Sequence, residues 1–169
     1  MPAPIVAGVI DFLNSQALGV NLWDGEVPRY DTTGQPVVDT MPEPQWPAVK
    51  VYMREPGFHR DWTTEDPYYD YGQILIQAWT TSRQALEGDT KTYPQLGLLN
   101  RIEAILAQAS NWQQIAMGGS PTNPYYVVLM QLLDWYSGQE EGVRTFDSQL
   151  LYRGDLIYEV GIHGAVSTY

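Results

Sequence analysis

Two histidines, His59 and His163, limit the acid–base chemistry that this sequence can carry. A serine hydrolase would pair one of them with a serine nucleophile and a carboxylate. The sequence contains no Gly-x-Ser-x-Gly turn that would present such a serine. His163 occupies an outward-facing position of a predicted strand, and no neighbour in the sequence would orient its ring. We therefore expect His163 to be a solvated side chain.

Acidic residues follow His59 at positions that could gather a hard cation: Asp61, Glu65, Asp66 and Asp70. Their spacing differs from that of a calcium loop, which supplies ligands at positions 1, 3, 5 and 12 around a central glycine. No His-Glu-x-x-His helix motif is present either. The pattern favours a hydrated polar loop over a metal site.

Other catalytic and cofactor signatures are also missing from the sequence. There is no Walker A motif and no Gly-x-Gly-x-x-Gly fingerprint, so a nucleotide cofactor is not expected. A glycosidase needs two carboxyl groups about 5–10 Å apart. With 20 acidic residues, close carboxylate pairs are inevitable and indicate nothing, so an acid-pair hydrolase is only a minor alternative. We expect neither an enzyme nor a bound cofactor.

The charge balance restricts the partners. Nine Lys and Arg against 20 Asp and Glu give a net charge of −11, which opposes tight binding to DNA and to anionic membranes. This acidity serves solubility, or it lets a polyanion slide past without adhering. The sequence has no cysteine, no basic start of a signal peptide and no apolar run near the roughly 20 residues of a membrane span. Synthesis and use in a cytoplasm are expected.

Hydrophobic periodicity predicts helices over residues 4–17 and 93–109 and strands over residues 48–53, 70–80 and 156–163, with a short apolar piece over 20–23. Strand is favoured over helix for 125–136, and the last strand is predicted to form a hairpin with 146–152 through Arg153-Gly154. Long loops are predicted at 24–47, 54–69 and 111–125. These elements predict a single α+β domain over 1–169, with a mostly antiparallel sheet and the N-terminal and central helices packed on one face.

Aromatic side chains are the compositional oddity, with six Trp and 12 Tyr against three Phe. Such side chains serve core and loop packing, protein–protein contact or carbohydrate stacking. Several of them lie in the loop over 54–69 beside an arginine, the combination that dominates binding energy at protein interfaces. The predicted oligomer or partner interface consists of Arg54, Trp62, Tyr68 and Tyr69.

The order of these elements resembles a known family. After the first helix come an extended loop with Pro36 to Pro47, the strand Pro47-Ala48-Val49-Lys50-Val51-Tyr52 and the segment Tyr71-Gly72-Gln73-Ile74-Leu75-Ile76-Gln77-Ala78-Trp79. The helix Leu98-Leu99-Asn100-Arg101-Ile102-Glu103-Ala104-Ile105-Leu106 and the strand pair Gln149-Leu150-Leu151-Tyr152 and Leu156-Ile157-Tyr158-Glu159-Val160 complete it. This order is similar to that of the tail terminator (tail completion) proteins of tailed bacteriophages. It is more loosely similar to that of other neck and head–tail joining proteins.

The resemblance implies a structural virion protein without chemistry or a cofactor. Such a protein forms a homo-oligomeric ring, typically a hexamer, that caps the tail tube and joins it to the head neck. Its expected partners are further copies of itself, the tail tube protein and a stopper or adaptor protein, with DNA passing through the lumen. It is assembled in the host cytoplasm and is found in the virion. The alternatives are another neck component, such as a stopper, adaptor or head–tail connector, and a carbohydrate-binding host-contact module.

Overall fold

The computed structural model describes residues 4–23, 30–36, 46–54, 59–60, 69–88, 97–115, 119–120, 123–124 and 126–163. The first helix, α1 (Pro4–Asn14), confirms the N-terminal prediction. Its apolar residues recur three and four positions apart and are buried: Ile5, Val6, Val9, Phe12 and Leu13. The chain leaves the helix in a turn, where Ala17 and Gly19 adopt positive φ angles of 52° and 69°. The helix is therefore shorter than the predicted range of 4–17.

Most of the described strands form one sheet. The strands are β1 (Asn21–Trp23), β2 (Tyr30–Asp31), β3 (Ala48–Met53), β4 (His59–Arg60), β5 (Tyr69–Thr80), β6 (Gly119–Ser120), β7 (Asn123–Pro124), β8 (Tyr126–Arg144) and β9 (Leu150–His163). The order in the main sheet is β1-β3-β5-β9-β8-β2, with β4 also paired to β5, while β6 and β7 form a separate ribbon. Only the pair of β1 and β3 is parallel among the described strands. The predicted mostly antiparallel sheet is confirmed.

Three further helices, α2 (Arg83–Glu87), α3 (Leu98–Leu106) and α4 (Ala109–Trp112), connect β5 to the C-terminal strands. The periodicity predicted one helix over 93–109, and its centre is α3, whereas residues 89–96 lie outside the described ranges. Helix α2 was not predicted. The Ser82 hydroxyl caps it by accepting a hydrogen bond of 3.3 Å from the Ala85 N–H.

The helices share one face of the sheet. Alternate side chains of β3, β5 and β9 point to the same side of the sheet and meet α1 and α3 in one buried cluster. Members of this cluster include Ile5, Leu13, Val49, Val51, Ile74, Ile76, Leu99, Ile102, Leu156, Tyr158 and Val160. The predicted α+β class, with the N-terminal and central helices on one face, is confirmed.

The predicted hairpin through Arg153-Gly154 is wrong. β9 continues through both residues, and the turn that joins it to β8 lies at Thr145–Gln149 instead, with Ser148 at a φ of 62°. Gly154 serves packing, because a Cβ atom there would lie 2.4 Å from Leu99 Cδ1. The glycine therefore marks the close approach of a helix to a continuous strand rather than a chain reversal.

The predicted long loops contain short structured pieces. Residues 30–31 of the predicted loop 24–47 form β2 at the far edge of the sheet, and residues 59–60 of the predicted loop 54–69 form β4. The predicted loop 111–125 overlaps α4 and contains the ribbon of β6 and β7. These three ranges were therefore wrong where they predicted loop throughout. The strand predicted over 125–136 is confirmed for residues 126–136, which form the first part of β8.

Candidate interaction site

The predicted interface is only partly within the described residues. Arg54 is exposed at the end of β3, where its Nη1 donates a 2.9 Å hydrogen bond to Gln73 Oε1 and its backbone N–H donates to the Gln73 carbonyl oxygen. Trp62, Tyr68 and the side chain of Tyr69 lie outside the described residues. The Tyr69 backbone starts β5 opposite His163. The grouping of these four side chains thus stays a prediction.

His163 differs from its expected environment. Its side chain is half-buried rather than solvated, and its ring lies against that of Tyr126 with the centroids 5.2 Å apart and the planes tilted by 36°. The register explains this contact, because Tyr126 and His163 face each other across the pair of β8 and β9.

The side chains considered for a cation site after His59 lie outside the described residues. The side chains of His59 and Asp70, together with Asp61, Glu65 and Asp66, lie outside the described residues. Within the described ranges, no group of three or more His, Asp or Glu side chains is placed to hold a metal ion.

The exposed large apolar side chains of the described residues lie in the β8–β9 hairpin. We call this set the hairpin patch: Tyr126, Val128, Leu133, Trp135, Tyr136, Phe146 and Leu150. Trp135 and Phe146 are 63% and 69% exposed, respectively. Isolated exposed apolar residues are ordinary, but several of them on one supersecondary unit are typical of an interaction surface.

The position of β8 in the sheet explains this exposure. Its inner edge pairs with β9, and along its outer edge the described residues pair only at Val143 and Arg144, which meet β2. The register with β9 shifts between Val127 and Leu129, between Leu132 and Asp134, and between Gln139 and Arg144. Each irregularity changes which side chains face the helices, so a strictly alternating buried stripe is not maintained.

A groove runs between α3 and the helix-facing side of β8. It consists of two adjoining cavities of about 390 and 340 Å³, which share Glu103 and Leu132. The first is also lined by Glu87, Leu99, Asn100, Trp135, Ser137 and Leu156. The second is also lined by Ala107, Trp112, Leu129, Met130, Gln131 and Tyr158. We call the two together the α3–β8 groove.

Two carboxylates give the α3–β8 groove an acidic lining. Glu87 forms an ion pair with Arg83 at 3.2 Å and accepts a 2.7 Å hydrogen bond from the Ser137 hydroxyl.

Burial raises the pKa of the Tyr158 hydroxyl above its ordinary range, and the negative charge of nearby Glu103 raises it further. The Tyr158 hydroxyl therefore remains a neutral donor at physiological pH.

The opposite face of the hairpin carries a polar network. The Arg153 guanidinium contacts Glu140 at 3.0 Å and Asp155 at 3.3 Å, and Gln77 Nε2 donates to the Asp155 carboxylate. The same guanidinium lies 5.5 Å from the ring centroid of Tyr136. These contacts link β5, β9 and β8, so we assign Arg153 a structural role in holding the hairpin to the sheet.

Sequence reasoning missed Trp135, Tyr136 and Phe146 as surface aromatic residues. An available signal was the composition of β8, in which the apolar run is followed by Ser137-Gly138-Gln139-Glu140-Glu141 without a break in the strand. Polar residues over so long a stretch indicate a strand that leaves the core. The predicted strand ended at residue 136, so this signal was not used.

Comparisons with known proteins assign no family to the chain. A scan against protein-family models and a search of curated proteins both returned no match for the chain. None of the helices in the described ranges has the length and apolar character required to span a bilayer.

Proposed function

We propose that this protein is a structural, ring-forming component of a bacteriophage tail, of the tail terminator type. The ring, typically of six copies, would cap the tail tube and join it to the neck while DNA passes through its lumen. The described order of α1, β3, β5, α3 and β9 supports this role, since it follows the order on which the resemblance rests. The role is structural rather than catalytic, and it places the protein in the virion.

The hairpin patch is the observation that carries the proposal. Seven large apolar side chains are exposed along both faces of one hairpin, with Trp135 on the helix side and Tyr136 on the opposite side, and exposed apolar side chains of this size are stabilised by burial against another protein. A closed ring has heterologous contacts, in which one patch on each subunit meets a different patch on the next. β8 lies next to the last strand of the described sheet, so a neighbouring subunit could reach the exposed side chains of the hairpin.

The net charge of −11 supports the second part of the proposal. Adhesion of a protein to DNA grows with the number of phosphates that its Lys and Arg neutralise. A ring of acidic subunits would repel the DNA backbone, so a passing duplex would not be held at the wall of the lumen.

Sedimentation and negative-stain microscopy test the proposal. We expect the purified chain to form rings, and we expect Leu133→Ser combined with Phe146→Ser to weaken association by about tenfold or more, because both side chains would lose apolar burial. Arg54→Ala is the matched variant for the interface predicted from sequence. A wild-type chain that stays monomeric at high concentration, with and without tail tube protein, would contradict the proposal.

Trp135 favours a second candidate, the carbohydrate-binding module. Its largely exposed indole lies beside Asn100 and Glu87 in the α3–β8 groove, and stacking rings next to polar side chains are typical of sugar sites. Glycan binding would change tryptophan emission in a titration, and Trp135→Ala would abolish the change. A ring component shows no such response.

A further inference from the structure

The α3–β8 groove lies beside an open strand edge. Leu132, Trp135 and Ser137 face the helices from β8, because their partners in β9 are the helix-facing Tyr158, Leu156 and Gly154. The outer edge of the same strand has no described partner from residue 126 to residue 142. Unpaired N–H and C=O groups on such an edge are able to pair with an additional strand.

Glu103 supplies a free charge in the groove. Its side chain is half-buried on α3, and its carboxylate forms no hydrogen bond or ion pair with the other described residues. Glu87 differs, since Arg83 and Ser137 already contact its carboxylate. A half-buried carboxylate gains most from a cation when water is displaced around it. The groove is thus complementary to a positive charge at Glu103.

Tyr158 is a second, independent indication of a ligand. Its side chain is 2% exposed and lines the second cavity, and its hydroxyl oxygen has no hydrogen-bonding partner among the described residues. Buried hydroxyl groups are usually hydrogen-bonded, so an unpartnered hydroxyl on a side chain that lines the groove supports entry of a polar ligand group.

Within the described ranges, the arginine side chains already have partners. Among the described residues, Arg83, Arg101, Arg144 and Arg153 already contact an internal carboxylate or carbonyl oxygen. Charge complementarity therefore favours a basic segment of a different protein over a second copy.

We propose that the α3–β8 groove and the adjoining outer edge of β8 bind an extended, basic segment of another protein. The segment pairs with β8 as an additional strand and inserts a Lys or Arg side chain toward Glu103. Main-chain hydrogen bonds to β8 supply affinity, and the acidic groove selects the side chain, as in other cases of strand addition. This inference does not depend on ring formation.

Peptide binding to the full-length protein tests this inference. The probes are fluorescent peptides of alternating Thr and Val in which a single Lys is moved from position to position, and the readout is anisotropy. We expect one Lys position to bind best, with a Kd below about 1 mM. Replacing that Lys by Gln should weaken binding about tenfold or more, because a charge-assisted contact is lost. Methylating the peptide backbone nitrogens should weaken it as well.

Variants of the protein locate the site. Glu103→Gln should weaken the best Lys peptide about tenfold, whereas Glu159→Gln, on the opposite face of the sheet, should leave its Kd unchanged. Equal binding of the Lys and Gln peptides to the wild-type protein would overturn the inference even if Glu103→Gln did not fold. Equal binding by wild type and folded Glu103→Gln would also overturn it, as would a response to glycans alone. A monomeric chain that binds the Lys peptide would contradict the ring and leave this inference standing.

Discussion

β9 and β8 are paired along one hairpin, yet they have opposite environments. β9 lies between two long strands, and its side chains Leu156, Tyr158 and Val160 are buried under the helices. β8 has a long partner on one side only, and its side chains from Leu133 to Tyr136 are exposed. Apolar composition is therefore not sufficient to tell a core strand from an interaction strand. The number of strand edges that are paired determines whether the side chains of the strand are buried or exposed.

Truncation of one leucine on each strand should give the largest difference in the free energy of unfolding. Leu156 is 2% exposed and Leu133 is 43% exposed. We expect Leu156→Ala to lower the free energy of unfolding by about 3 kcal/mol, because it leaves a cavity in the core. Leu133→Ala should change it by about 0.5 kcal/mol or less. Chemical denaturation measures both values, and similar losses for the two variants would break the contrast between the strands.

Two glycines in neighbouring rows of the hairpin sharpen the comparison. A Cβ atom on Gly154 would lie 2.4 Å from Leu99 Cδ1 inside the core, whereas one on Gly138 would lie 2.6 Å from the hydroxyl oxygen of exposed Tyr136. We expect Gly154→Ala to cost about 1–3 kcal/mol through overpacking. Gly138→Ala should cost less, since the Tyr136 side chain is free to move into solvent. Thermal unfolding of the pair measures the difference, and the reverse order would refute the assignment of Gly154 to helix packing.

The smallest effect on stability is expected at Asp31, in the strand β2 that pairs with the outer edge of β8. The Thr33 hydroxyl donates a 2.7 Å hydrogen bond to the Asp31 carboxylate, and the Gln35 and Thr33 backbone N–H groups donate at 3.0 and 2.8 Å. These hydrogen bonds hold the pKa of Asp31 below its ordinary value of 3.8. A depressed carboxylate pKa stabilises the folded state above the unfolded value and loses that effect as pH falls through the folded one.

An NMR titration of the Asp31 carboxyl carbon checks this point. We expect a midpoint below 3.8. Thr33→Val should move the midpoint upward, because it removes the hydrogen bond from the Thr33 hydroxyl, the largest cause of the lowered pKa. A midpoint at or above 3.8 in the wild-type protein would show that the turn after β2 does not persist in solution.

Periodicity was sufficient for the elements that are buried on one side. Ile5, Val9 and Phe12 predicted α1, and the alternation of Val49 and Val51 predicted β3, because each pattern matches the period of its element. The same reasoning failed at Gly154. Its role depends on Leu99, which lies 55 positions away along the chain (154 − 99 = 55), and a local pattern contains no trace of that contact.

The candidate site was less predictable than the fold. Arg54 was selected from its loop, but exposure of Trp135 and Phe146 follows from the place of β8 at the sheet margin. Strand order depends on pairing between distant segments and is not encoded in the spacing of neighbours. The α3–β8 groove likewise combines Glu103 from a helix with Leu132 from a strand, a pairing that only the folded chain brings together.

The interior position of β9 has a consequence for biosynthesis. β5 and β8 both emerge from the ribosome before β9, although each of them pairs with it over most of its length. A nascent chain that stops before residue 150 thus exposes two unpaired strand edges and the core side chains that β9 covers. We therefore expect production of this protein to respond to chaperone supply more than that of a chain whose strands pair in sequence order.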